Sequence, residues 1–115
     1  MPHCIIEYAR SLESRTSIKQ VCEALHQAVL GTALFKEPSI RVRAIAYDEA
    51  LVGGEADVPF VHVQAYLFAG RDEAQREAFA QAIEAALLTT FGTPLSVSVN
   101  PVEINQQTYR QNTYA

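Results

Sequence analysis

Apolar and polar positions alternate with a period of two in four stretches of the chain and with a helical period in two. Over residues 3–8, Cys4, Ile6 and Tyr8 alternate with His3, Ile5 and Glu7. This reads as a strand apolar on both faces, hence central in a sheet. A polar turn, 9–17, follows, in which Thr16 or Ser17 can cap a helix. Ile18, Val21, Cys22, Leu25 and Val29 then recur at helical spacing, and the stripe runs on to Ala33 and Leu34. Lys36-Glu37-Pro38 stops it, because proline disfavours helix in the residue before it.

A second strand is predicted over 40–47. Ile40, Val42, Ala44 and Ala46 point one way, Arg41, Arg43, Ile45 and Tyr47 the other. A loop from 48 to 59 bends at Gly53-Gly54. The third strand, 60–68, sets Val61, Val63, Ala65 and Leu67 against Phe60, His62, Gln64, Tyr66 and Phe68. After the turn Ala69-Gly70-Arg71, Asp72 and Gln75 have the spacing of a capping box. Phe79, Ala82, Ile83, Ala86, Leu87 and Phe91 stripe the second helix, Gly92 supplies a left-handed C-cap and Pro94 prevents continuation. A fourth strand is expected over 95–99.

The order strand-helix-strand thus occurs twice. The reading is one α+β domain, 1–115, built from duplicated βαβ units at about 2–47 and 59–102, with a polar tail at 103–115. Each unit should be right-handed with parallel strands. Each helix has a single stripe to bury, so both helices belong on one face of a four-stranded mixed sheet. The other face would then carry Ile5 or its alternates, Ile45, Tyr47, His62, Tyr66 and Phe68, or the complementary set, in either case too apolar for a solvated surface. Copies of the same chain arranged in a closed ring would cover it. The tail has little means of building a core, and its two tyrosines suggest that it docks on something, such as a neighbouring subunit.

The net charge of −4 argues against nucleic acid as a partner, since phosphate binding rests on concentrated Lys and Arg. It also means that an anionic substrate must be held by local arginines rather than by the overall field. Cys4 and Cys22 lack metal-knuckle or CxxC spacing and suit two small buried thiols in a reducing cytoplasm, with a disulfide as the alternative. His3, His26 and His62 show no metal-ligand pattern. No secretory signal is expected, and no segment is long and apolar enough to span a membrane.

The chemistry is concentrated at the start. Removal of Met1 would leave Pro2 with a free secondary amine, of the α-amino class that titrates at roughly 7.7–8.0. Burial or nearby arginines would lower that value, giving a general base matched to neutral pH.

Met-Pro-His at the start, Ser-Ile-Arg-Val-Arg at 39–43, Phe-Val-His-Val at 60–63, Ala-Gly-Arg at 69–71 and Asn-Gln-Gln-Thr-Tyr-Arg-Gln-Asn in the tail resemble the 5-carboxymethyl-2-hydroxymuconate Δ-isomerase family of the tautomerase superfamily. The resemblance covers nearly the whole chain in the same order, although the stretch 48–58 is shortened and changed. It implies a homotrimer whose sheets enclose a barrel-like space, with no metal and no cofactor. It implies a proton shift along an anionic dienol, as in bacterial homoprotocatechuate degradation. By position the base is Pro2, and Arg41 and Arg71 bind carboxylate and stabilise charge. Arg43, on the same strand face as Arg41, is a further substrate-binding candidate.

The same residues have plainer readings. Arg41 and Arg43 fit a solvated strand face, Arg71 a surface turn, His62 a hydrogen-bonded core histidine, Tyr66 and Phe68 packing, and Asp72 a cap. Alternative functions keep the fold, as a tautomerase for another 2-oxo or 2-hydroxy acid, a hydratase with protonated Pro2 as acid, or a non-catalytic oligomer; another keeps only the element order, as a non-catalytic ferredoxin-like binding module.

Overall fold

The computed structural model describes all 115 residues. β1 covers His3–Ala9, α1 Ile18–Gly31, β2 Arg41–Tyr47, β3 Phe60–Phe68, α2 Glu73–Phe91 and β4 Ser96–Ile104. The sheet order is β2-β1-β3-β4. β1 runs parallel to β2, β3 parallel to β4, and β1 antiparallel to β3 at the centre. Each parallel pair is joined through a helix, as parallel neighbours require a long crossover.

Register follows from the period-two pattern, because a slip of one residue would turn every apolar side chain to the wrong face. Cys4, Ile6 and Tyr8 of β1 stand beside Val42, Ala44 and Ala46 of β2, and beside Ala65, Val63 and Val61 of β3. Val21, Leu25 and Val29 of α1 and Phe79, Ile83, Leu87 and Phe91 of α2 pack with them in one core cluster. Both helices therefore cover the same face. The opposite face carries His3, Ile5 and Glu7, Arg41, Arg43, Ile45 and Tyr47, and His62, Gln64 and Tyr66, matched across the strands by the same register.

Four local features differ from the sequence expectation. α1 ends at Gly31, and Ala33 adopts φ 59°. Leu34 and Phe35 still pack against the core, so the apolar stripe continues through chain that is no longer helical. The polar segment after β1 holds a short 3-10 turn, Arg10–Ser14, that buries Leu12 completely. β4 continues past Val99 to Ile104. Pro101 is tolerated because β4 is an edge strand, paired on one side alone. The tail consequently starts two residues later than 103. Finally, Gly92 caps α2 with φ 71° but ψ −175°, so its positive φ lies outside the left-handed helical region.

No helix is long and apolar enough to cross a membrane.

Candidate active site

Pro2 lies just before β1 and is fully buried. Its carbonyl accepts a hydrogen bond from the backbone N–H of Arg41 at 3.0 Å. That bond pins the start of β1 to the start of β2, and the parallel register then sets His3 beside Arg41. The amino terminus, carried by Met1, sits in a cleft of about 420 Å³ lined also by Lys36, Pro38, Ser39, Arg41, Phe68, Tyr109 and Gln111. Burial lowers the terminal amine below its ordinary 8.0, and the charges of Arg41 and Arg71 lower it further. Both act against the protonated form.

Arg71 reaches this neighbourhood from the turn between β3 and α2. Its guanidinium donates to the Leu34 carbonyl at 2.7 Å and lies over the Phe35 ring, 4.6 Å from the centroid. Its own carbonyl accepts from Arg76. Arg71 is thus half-buried, its guanidinium held by Leu34 and Phe35 and its backbone by Arg76, rather than being a solvated turn residue. The segment that fixes it is the non-helical stretch after α1, which explains why Leu34 and Phe35 keep facing inward.

Arg43 is on the same face as Arg41 but faces elsewhere. Its Nη1 meets His3 Nδ1 at 3.0 Å, and His3 Nε2 meets Tyr109 Oη at 2.7 Å. The Tyr109 ring packs edge-on to Phe68, with centroids 5.3 Å apart. Burial lowers the His3 pKa below 6.5, with Arg43, Arg41 and the terminal amine adding to the shift, so the ring is neutral at neutral pH. The tail therefore docks on its own sheet beside the amino terminus.

The structure sets Met1 and Arg41 in one cleft beside Pro2, holds Arg71 outside its lining but near enough for its charge to act on the terminal amine, and turns Arg43 to His3. Lys36 and Tyr109 also line the cleft, and neither stood out in the sequence as a site residue. Lys36 belonged to a helix stop, and Tyr109 sat in a tail without periodicity. His62 occupies the outer face rather than the core, where its Nδ1 is 2.6 Å from Ser98 Oγ. Asp72 caps α2, accepting from the Gln75 N–H at 2.8 Å while Gln75 accepts from the Asp72 N–H at 3.0 Å. A roomier groove of about 600 Å³ between α1 and α2 is lined chiefly by small side chains. Its one carboxylate, Asp72, is committed to that cap.

A sheet of two parallel pairs, both helices on one face and a cationic cleft at the amino terminus define a tautomerase-type α+β fold. The chain is similar to a solved 5-carboxymethyl-2-hydroxymuconate delta-isomerase at TM-score 0.83, with 19% identity over 99% of this chain and 89% of that one. It is equally similar, at TM-score 0.83, to a 5-carboxymethyl-2-hydroxymuconate isomerase from Deinococcus radiodurans R1, with 23% identity over 98% and 90%. A fused 4-OT described as a symmetric trimer matches at TM-score 0.78, with 19% identity over 91% and 88%. No curated protein matches the sequence. The model of the 5-carboxymethyl-2-hydroxymuconate isomerase family matches residues 2–114, and the chain belongs to that family.

Proposed function

We propose that this protein is an isomerase that shifts a proton along an anionic dienol of the 5-carboxymethyl-2-hydroxymuconate type. The general base is the Pro2 amine, freed by removal of Met1. One observation carries the reading: an amine at this end of the chain is held below its ordinary pKa by burial and by Arg41 and Arg71. The same surroundings would act on Pro2, whose ring is already buried at the head of β1.

The uncharged nitrogen takes the proton of the enol hydroxyl and returns it to a carbon further along the conjugated system, giving the 2-oxo isomer. Negative charge gathers on the 2-oxygen as the proton leaves. A fixed guanidinium stabilises that charge without having to reorganise. Arg41 suits the substrate carboxylate at the cleft, because guanidinium pairs with carboxylate in a bidentate fork. Arg71, braced by Leu34 and Phe35, suits the developing oxyanion. Arg43, turned to His3, acts at one remove. The scheme draws on no cofactor.

The protein also forms a homotrimer in this reading. Its outer sheet face leaves Ile45 52% and Tyr47 40% exposed, and a closed ring buries equivalent patches without an open end.

The test is a steady-state assay on 2-hydroxymuconate-type dienols with protein whose first residue is proline. Pro2→Ala should lose about 10²–10⁴ in kcat, the usual worth of a positioned base. Arg41→Ala should lose about 10²–10³ in kcat/KM, as for loss of a charge-stabilising donor. Turnover by Pro2→Ala at the parent rate would exclude the mechanism. The direction of the pH limb separates base from acid. The folded amine pKa is depressed, so a base is active above it, and kcat/KM should fall as pH drops through a value below 8.0. A rate that falls instead at high pH would favour hydratase-type chemistry with protonated Pro2.

A further inference from the structure

Arg43, His3 and Tyr109 form a run of hydrogen bonds whose direction is dictated by donor count. A guanidinium has N–H donors and no acceptor, so the His3 Nδ1 that Arg43 meets at 3.0 Å must accept. In the neutral imidazole the other nitrogen then carries the hydrogen. His3 Nε2–H therefore donates to Tyr109 Oη at 2.7 Å. The bond that Tyr109 Oη accepts from His3 is its one hydrogen bond within the chain, so its own O–H is left to donate elsewhere. Tyr109 is half-buried and lines the cleft that holds the amino terminus and Arg41. Its ring is fixed edge-on to Phe68, so the hydroxyl is held at one end by packing and at the other by His3.

We infer that the Tyr109 hydroxyl donates a hydrogen bond to an oxygen of the anionic 2-hydroxy or 2-oxo acid bound beside the amino terminus, and that Arg43 and His3 are positioning residues that turn its proton toward the ligand. The substrate class rests on the function proposed above; the direction of the hydrogen-bond run does not. A hydroxyl that accepts a hydrogen bond is polarised into a better donor. A donor aimed at an oxygen that gains charge contributes more in the transition state than in the ground state. The tail is thereby part of the site, although it lies more than a hundred residues from Pro2 in the chain.

The experiment compares parent, Tyr109→Phe, His3→Ala and the double variant, all with proline as first residue. Two readouts are taken: kcat and KM on a 2-hydroxymuconate-type dienol, and the Kd of 2-oxoadipate by calorimetry. Tyr109→Phe keeps the ring against Phe68 and should lower kcat by about ten- to hundred-fold, with 2-oxoadipate bound about ten-fold more weakly. His3→Ala should reproduce part of this loss and add nothing in the double variant, because the two residues act as one unit. A structural role for Tyr109 would lower the thermal midpoint and leave kcat and Kd of the folded fraction unchanged, which overturns the inference. Parent turnover that survives Tyr109→Phe unchanged sinks Tyr109 and leaves the isomerase reading standing. A parent that binds 2-oxoadipate more tightly than Tyr109→Phe, yet never turns over the dienol, does the reverse. A parent that neither turns over the dienol nor binds 2-oxoadipate overturns both.

Discussion

Burial decides which nucleophile of this chain is usable. Cys4 lies in the core, and desolvation pushes its thiol up to about 12 against a small opposing pull from Arg43. Cys22 is half-buried and raised as well, by burial and by the charge of Glu23. Since the thiolate is the reacting species, alkylation of folded protein at pH 8 should modify Cys22 slowly and Cys4 only on unfolding. Mass spectrometry of timed labelling checks this, and rapid labelling of Cys4 in folded protein would contradict it. The amino-terminal amine shares the desolvation with the opposite result, because burial strips a proton from a cation rather than holding one on a thiol. Residue patterns told much of this in advance. Period-two alternation put Arg41 and Arg43 together on one face of β2, without saying which face the helices cover. The separate employment of those arginines was hidden, because it depends on where His3 and a distant tail residue meet.

Local chemistry was the most legible at the scale of elements. Asp72 and Gln75 announce the start of α2, and the reciprocal cap forms. Asp72→Ala should cost about 1 kcal/mol in a denaturant melt; no change beyond error would show the cap to be idle. Elements whose limits depend on the rest of the fold were harder to read. Leu12 sits among polar neighbours, and nothing in its own segment signals that it is fully buried. Leu12→Ala should destabilise the protein by about 2–5 kcal/mol, and a loss comparable to a surface substitution would contradict that burial. α1 ends before its apolar stripe does, since Leu34 and Phe35 are drawn to the core and to Arg71 by tertiary packing. β4 outruns Asn100-Pro101 because an edge strand has one side that needs no donor.

Across the whole molecule, period-two and helical spacing sufficed for the sheet and its two helices. Alternation sorted the side chains into two sets, and single-stripe helices required a common side; which set faced the helices had to come from the packing. The cleft was less legible, because it is assembled from the start of the chain, the stretch after α1, the end of β3 and the tail. Contacts separated by that much sequence leave no period to find. The exposed outer face supports self-association, and sedimentation equilibrium at micromolar concentration should report about three times the 12.7 kDa chain mass. Ile45→Glu, on that face, should break the assembly and leave the secondary structure intact; a monomeric parent would remove the trimer.

The most direct measurement is a pH titration of ¹⁵N-labelled Pro2 by NMR, on protein shown by mass to begin at proline, with Arg41→Ala and Arg71→Ala alongside. The nitrogen should titrate clearly below 8, and its pKa should rise in each arginine variant as a repelling charge is removed. A proline nitrogen that titrates at or above 8 and ignores both substitutions would contradict a neutral base whose pKa is lowered by burial and by the charges of Arg41 and Arg71.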